Sequence, residues 1–307
     1  MSLIVPENIF KKFKKGKSKN TVKTYISMVS KLFRECFNTD QFSVEKLKDT
    51  DKVAKYLNKL STTSIKIITI GVVMLLKAAN APKNLIDSYG RVAREYRIKD
   101  LKERQGRAVT EEEQEAYIPW SEVINIRTEY RKMVNDKSYV NTLTDLEYQR
   151  LFMRYLTLAL FTMIPPQRGE VYFNCYIDKN KKGQNYIDTN TGILHIREHK
   201  TRKTYGDRAI KLPKTLVDLI KSWKTISNCK KGLLLCNSQG NNMSSQGFTQ
   251  FINSIFESGI STDMLRKIYI THMYDDIKIN DEQKEKLARM MGHSRSVQKE
   301  FYHKPDF

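Results

Sequence analysis

Apolar residues recur at three- and four-residue intervals along most of this chain, and at two-residue intervals only within residues 187–212. The first spacing gathers apolar side chains on one face of an α-helix, the second on one face of a strand. The pattern therefore predicts a mainly α chain with one small antiparallel β-sheet, an α+β class. The first strong stripe follows Ser18-Lys19-Asn20-Thr21 and runs Val22, Tyr25, Ile26, Val29, Leu32, Phe33, with lysines opposite and Ser18 or Asn20 as cap. Further helices are predicted over 50–60, with Val53, Ala54 and Leu57 inward, and over 62–79. There the length and the Ala78-Ala79 ending favour a buried helix, although Ile67-Ile68-Thr69-Ile70 would also suit a strand.

In the second half, Pro119-Trp120-Ser121-Glu122 reads as a helix start with Ser121 as candidate cap. A long helix over 145–163 must stop at Ile164-Pro165-Pro166, because proline disfavours α geometry in the residue before it. Residues 187–196 then read as strand, turn and strand. Tyr205-Gly206-Asp207 forms a turn before a strand over 208–212, which Pro213 ends. Helices resume over 216–223, 246–256, 262–274 and 281–291.

A length of 307 residues suits two domains, and an apolar fraction of 40% can build their cores. The charge is lopsided. Residues 1–107 carry 24 basic and 10 acidic side chains, a net of +14 out of the whole chain's +20. Such a field favours a polyanionic partner, since each Lys or Arg placed on a phosphate releases counterions; a merely lysine-rich soluble protein is the alternative. Residues 94–117 are basic up to Arg107, acidic over 111–115, and sustain no apolar period. They read as a linker between a helical domain over 1–93 and a second domain over 118–307.

Cys36, Cys175, Cys229 and Cys236 form no C-x-x-C pair, and Cys229 and Cys236 have no His or Cys partner at zinc spacing. They read as reduced thiols, with no metal site. No signal peptide is visible, and the longest apolar stretch, Tyr155 to Pro166, is too short to span a bilayer. An intracellular, non-secreted protein without membrane contact is expected.

Four features carry chemistry. Arg168 follows the Pro-Pro break, and Lys200 sits in a connection between strands. Arg266 lies among Met264, Leu265, Ile268 and Tyr269, and Gly292-His293 ends a helix nine residues before Tyr302. Taken singly, each has an ordinary reading: a loop charge, a solvated lysine, a salt bridge from Arg266 to Asp263, Asp275 or Asp276, a helix C-cap, a packed aromatic.

Taken in order, Arg, Lys, Arg, His, Tyr resembles the tyrosine recombinase family of phage and viral integrases. Leu287-Ala288-Arg289-Met290-Met291-Gly292-His293-Ser294 followed by Phe301-Tyr302 is similar to the family's Leu-Gly-His-Ser … Tyr signature. Pro165-Pro166-Gln167-Arg168-Gly169-Glu170 resembles the segment of the first arginine, and Ile196-Arg197-Glu198-His199-Lys200-Thr201 that of the hairpin lysine. Met264-Leu265-Arg266-Lys267 resembles the second arginine's box, and Ser18 to Phe33 the opening of the core-binding domain. The likeness spans nearly the whole chain.

The resemblance implies a core-binding domain over 1–93, a catalytic domain over 118–307, and site-specific DNA breakage and rejoining in a virus or mobile element. Tyr302 would be the nucleophile of a 3′-phosphotyrosyl link, Arg168 and Arg266 would clamp the phosphate, and Lys200 would protonate the leaving 5′-oxygen. His293 would hydrogen-bond the phosphate or assist the tyrosine. No metal or other cofactor is implied. The partner would be double-stranded DNA, held by a tetramer of this chain. Lys11, Lys12, Lys14, Lys15, Lys17, Lys19, Arg91, Arg94, Arg104, Arg107, Arg202 and Lys203 would contact its backbone.

One departure stands out. Where the family has His or Lys, three residues before the second arginine, this chain has Asp263, and Lys267 follows Arg266 in place of His. An ionised carboxylate cannot donate to a phosphate oxygen, although Asp263 could orient Arg266 or Lys267. His272 falls well off the Arg266 face of the helix. The rival readings are a type IB topoisomerase and a degenerate recombinase that only binds DNA. The few residues after Tyr302 suggest assembly through other surfaces, or by exchange of the tyrosine segment itself, without a swapped terminal helix.

Overall fold

A computed structural model describes residues 3–105, 109–179, 182–257 and 259–304, with the backbone alone at 104 and 105. The chain divides into two compact units, Met1–Arg107 and Ala108–Phe307.

The first unit is wholly helical: α1 (Glu7–Lys14), α2 (Lys19–Phe37), α3 (Thr50–Leu57), α4 (Thr62–Ala78) and α5 (Lys83–Gln105). Ser18, Asp49 and Ser61 cap α2, α3 and α4 through their side-chain oxygens. α4 packs against α1, α2 and α5 and buries Ile65, Ile68, Val72, Leu75 and Leu76. That burial outweighs the strand preference of its β-branched residues. Val29, Leu32, Phe33 and Leu47 complete the core, and Tyr89 of α5 donates to the Leu47 carbonyl at 2.9 Å.

One helix had no counterpart in the sequence reading, and one expectation changes. Lys-rich residues 7–14 form α1, which buries Phe13 beneath its charges. Residues 94–105, expected as the first part of a linker, continue α5. Lys66 and Thr63 of α4 hold its buried Asp100 at 2.5 and 2.6 Å. The apolar stripe of α5 weakens there because a polar cluster replaces it.

The second unit opens with α6 (Glu111–Glu115), α7 (Trp120–Asn135), α8 (Lys137–Val140), α9 (Asp145–Thr162) and α10 (Gly169–Phe173). The short α6 has a complete capping box between Thr110 and Glu113, so the acidic run expected in the linker is locally helical. Pro119, not Ser121, occupies the cap position of α7, and Ser121 lies inside the first turn. Strands β1 (Cys175–Ile177), β2 (Asn185–Asp188), β3 (Ile193–Ile196) and β4 (Arg208–Lys211) form one sheet in that order. β2–β3 and β3–β4 are antiparallel as expected. The three-residue β1, too short for an alternating signature, pairs parallel to β2 and makes the sheet mixed.

A one-turn helix α11 (Arg202–Tyr205) precedes β4. α12 (Lys214–Ile226), α13 (Ser245–Phe256), α14 (Thr262–Thr271), α15 (Asp281–Met291) and α16 (Arg295–Val297) follow. The turn expected to continue α14 widens into a π-helix, His272–Asp276, and a second π-helical turn, Gln298–Tyr302, carries the tyrosine.

The core of this unit lies between α9, the sheet and α12–α14. Phe152 stacks on Trp223 at 5.9 Å, and the Trp223 indole donates to the Leu234 carbonyl. Cys36 and Cys175 are free and buried, but Cys229 and Cys236 form a disulfide, against the expectation of four thiols. A hydrogen bond from Lys230 N–H to the Gly240 carbonyl folds the segment back, and a Cα separation of 5.5 Å suits the bond. No described helix is long and apolar enough to cross a membrane, and no cluster of three potential metal ligands occurs among the described residues.

At Gly71 of α4 the helix α2 lies close: an added Cβ would stand 2.8 Å from a Val29 methyl. We expect Gly71→Leu to destabilise the first unit by about 1–3 kcal/mol or more through overpacking. Urea denaturation measures this, and an unchanged midpoint would show that the α2–α4 contact is looser than described.

Candidate active site

The site is organised by the C-terminus of α15. Gly292 adopts the left-handed conformation at φ 72°. Its N–H donates to the Arg289 carbonyl, and the His293 N–H reaches back to the Ala288 carbonyl, both at 3.1 Å. This is a Schellman ending. It leaves the next three carbonyls, of Met290, Met291 and Gly292, without helical donors. Each is taken by an arginine from a different element. Arg208 of β4 donates to Met290 at 2.6 Å, Arg266 of α14 to Met291 at 3.2 Å, and Arg168, before α10, to Gly292 at 3.4 Å. The negative end of a helix dipole suits three cations.

The lysine turn is tied to the same spot. Thr201 Oγ1 donates to the Gly292 carbonyl at 3.0 Å, and the Lys200 N–H donates to Glu170 Oε1 at 2.8 Å. Buried Asn185 of β2 accepts from the N–H groups of Arg197 and Glu198, each at 2.8 Å, and so fixes where the turn begins. The Lys200 side chain itself is exposed.

Arg266 is fully buried. Its Nη2 lies 2.9 Å from His293 Nδ1, and its guanidinium sits 4.6 Å over the Tyr302 ring, which stacks on the His293 imidazole at 4.9 Å. A guanidinium can only donate, so Nδ1 is the acceptor and the imidazole proton resides on Nε2. That Nε2, with Arg266 Nε and Nη1, is buried without a hydrogen-bond partner. The arrangement thus holds several buried donors ready for an acceptor with multiple oxygens.

Burial, then Arg266, Arg168 and Arg208, push the His293 imidazole down to about 2, so it is neutral at physiological pH. Burial is also the largest influence lowering Arg266, opposed by Tyr302 and reinforced by Arg168. Asp263 is exposed and lies 3.8 Å from Arg266 Nη1, a long, solvent-screened contact that leaves the guanidinium without a close carboxylate among the described residues.

The structure thus brings Arg168, Arg266, His293 and Tyr302 together, with the Lys200 turn attached. The alternative partners of Arg266 are engaged elsewhere. Asp275 accepts from His303 at 2.8 Å, and Asp276 pairs with His272, whose ring stacks on Trp120. Lys267 turns away to Glu113 of α6. After the tyrosine, the Lys304 N–H donates to Thr271 Oγ1, so the chain at Lys304 is anchored on α14 of its own subunit.

Among the basic residues expected to meet a polyanion, Lys11, Lys12, Lys14, Lys15, Lys19, Arg91, Arg94, Arg202 and Lys203 are exposed, and Lys17 is half-buried over the Phe13 ring. Lys11 pairs with Glu7 and Arg202 with Asp207. The Arg104 side chain and all of Arg107 lie outside the described residues. Arg208, Gln167 and Asn185 were missed in the sequence. Gln167 stands inside the motif next to Arg168, but Arg208 and Asn185 only begin strands, and no single-sequence pattern distinguishes them.

The neutral histidine makes a pH prediction. An unfolded His293 binds a proton below its ordinary value of about 6.5, whereas the folded one does so only near 2. The stability this residue contributes is therefore complete above about pH 6.5 and is lost as pH falls, by up to about 1.4 kcal/mol per unit. Urea unfolding of His293→Asn beside wild type, at about pH 7, 6 and 5, should show the wild type losing more. Parallel curves would mean that the imidazole titrates normally in the folded protein.

Residues 182–307 match a family model described as the phage integrase family. Among solved structures, the chain is similar to XerA recombinase, at 14% identity and a TM-score of 0.45, covering 97% of this chain and 94% of that one. It is also similar to XerH site-specific recombinase bound to its difH substrate before cleavage, at 14% and 0.45, covering 96% and 89%. A post-cleavage complex of XerH with a palindromic difH substrate gives 13% and 0.42, covering 98% and 95%. No curated protein matches. The match to the phage integrase family covers the segments that hold Lys200, Arg266, His293 and Tyr302, and begins after Arg168.

Proposed function

We propose that this protein breaks and rejoins DNA at specific sites through a 3′-phosphotyrosyl intermediate. The observation that carries the reading is the placing of the Tyr302 ring against buried Arg266 and His293 with unpaired donors on both. Arg168 and Arg266 present forks suited to the non-bridging oxygens of one phosphodiester, whose charge grows as phosphorus becomes five-coordinate. His293, pinned at Nδ1, offers its Nε2–H as a neutral third donor rather than a base.

In the proposed step the Tyr302 oxygen bonds to phosphorus, the bond to the 5′-oxygen breaks, and the phenolic proton leaves to solvent. The Lys200 ammonium, on an exposed turn, protonates the departing 5′-oxygen. Rejoining runs the same steps backwards from a 5′-hydroxyl. The bond energy stays in the phosphotyrosyl link, so no step calls for a metal or nucleotide cofactor. The basic first unit would hold duplex DNA by its backbone, and a tetramer of this chain would join two such duplexes.

The test is a pool of randomised duplexes, each nicked so that cleavage traps the enzyme, together with duplexes tiled across the DNA flanking its own gene. Wild type should yield a denaturation-resistant adduct that Tyr302→Phe abolishes. No adduct from any duplex, or equal adduct from the variant, would overturn the reading in favour of a protein that only binds DNA. A rise with Asp263→His would locate a partial defect at that position. Relaxation of supercoiled plasmid lacking any selected site would point to a topoisomerase.

Exposed Lys12 and Lys15 give a second expectation. Replacing both by Gln should weaken DNA binding alike for all sequences and reduce the slope of log affinity against log salt by up to about 2. An unchanged slope would remove α1 from the DNA interface.

A further inference from the structure

We propose that Arg208 is a positioning residue of this site: with Gln167 it grips the Met290 carbonyl and so fixes the Gly292 turn that presents His293 to Arg266 and Tyr302. The proposal rests on the strand-cleavage reading only for its effect on catalysis. Its structural part stands apart from that reading.

Arg208 opens β4, on the edge of the sheet, yet its guanidinium turns inward. One Nη1 donates to Gln167 Oε1 at 3.0 Å and to the Met290 carbonyl at 2.6 Å. Gln167, itself fully buried, donates its own amide to Met290 at 3.0 Å and to Pro165 at 2.7 Å. One carbonyl at the end of α15 is thus held from two sides, by β4 and by the segment that carries Arg168. The guanidinium also lies flat against the turn. A Cβ on Gly292 would stand 2.9 Å from Arg208 Cζ and Nη2, and φ 72° there already favours glycine. The glycine serves both the turn and the seat of the arginine.

This arrangement is poor design for stability alone. Arg208 Nε is buried without a partner, and no carboxylate pairs with the guanidinium among the described residues. Burial, Arg168 and Arg266 together hold it down at about 10. A neutral side chain would hold the Met290 carbonyl without gathering a third cation beside two others. The cost makes sense where the gathered charge and the fixed turn serve an incoming phosphate. Lysine is a poor substitute, because a point charge on a flexible stem cannot fill the flat seat against Gly292 while reaching both acceptors.

Arg208→Lys separates position from charge, since it keeps the cation. The groups facing His293 are Arg168, Arg208, Arg266 and Tyr302, with the Thr201 turn behind Gly292, and all but Arg208 stay unchanged. In wild type, imidazole NMR shifts of His293 should stay flat between about pH 5 and 8, with the proton on Nε2. In Arg208→Lys, the tautomer preference should be lost or a titration should appear in that range. The rate of adduct formation at saturating protein should fall roughly tenfold to a hundredfold, and DNA affinity should stay within about twofold.

Gly292→Ala, which evicts the arginine without removing it, should reproduce the same signature and serves if Arg208→Lys does not fold. A flat, Nε2-protonated His293 in folded variants overturns the proposal, even if the adduct rate falls. So does an adduct rate within about twofold of wild type, because misplacing the turn should cost far more. If wild type forms no adduct at all, the strand-cleavage reading fails, and the histidine signal alone still judges Arg208.

Discussion

Three carbonyl oxygens at the end of one helix hold this site together. The Schellman turn at Gly292 satisfies the Ala288 and Arg289 carbonyls and leaves those of Met290, Met291 and Gly292 facing Arg208, Arg266 and Arg168. Without them, three guanidiniums in one place, with only an exposed and distant Asp263 for a counter-charge among the described residues, would repel each other and face heavy desolvation. The helix end offers partial negative charge and directed acceptors, so the cations converge without carboxylates that would also repel a phosphate. The same turn sets His293 against Arg266, and the imidazole becomes the surface on which Tyr302 rests.

The rest of the second unit brings these pieces to that helix end. The Pro165-Pro166 break stops α9 and delivers Gln167 and Arg168. The sheet supplies Arg208 from β4, and Asn185 of β2 shapes the turn that carries Lys200. α14 buries Arg266 on its apolar face and turns Lys267 toward Glu113 of α6, where burial pushes the Glu113 carboxyl up but the lysine ammonium and the Thr110 N–H outweigh it and hold it below its ordinary value. The tyrosine segment is fastened through His303 and Lys304 to Asp275 and Thr271. An exchange of that segment between subunits would have to release both contacts.

Much of the helical framework was legible because long stripes such as Val22 to Phe33 leave one face to bury, and caps such as Ser18 fix where they start. Short elements were not. α1 hides Phe13 among lysines, β1 has three residues, and the second half of α5 is held by a polar cluster around Asp100 rather than by an apolar stripe. The Cys229–Cys236 bond depends on a chain reversal that residue spacing does not reveal. At the site, the types Arg, Lys, Arg, His and Tyr and their order could be read directly. Arg208 could not, because a strand-opening arginine usually points to solvent.

The sequence by itself determined which side chains of this protein are available as candidates for chemistry, since guanidinium, imidazole and phenol have properties independent of their place in a fold. It also determined that the chain would be mainly helical, because periodicity selects an element locally. Only the tertiary structure decided that His293 is neutral with its proton on Nε2, that Asp263 stands outside the cluster, and that Arg208 belongs inside it. Those outcomes depend on burial and on which carbonyls a side chain can reach, and both arise only when distant segments pack around the end of α15.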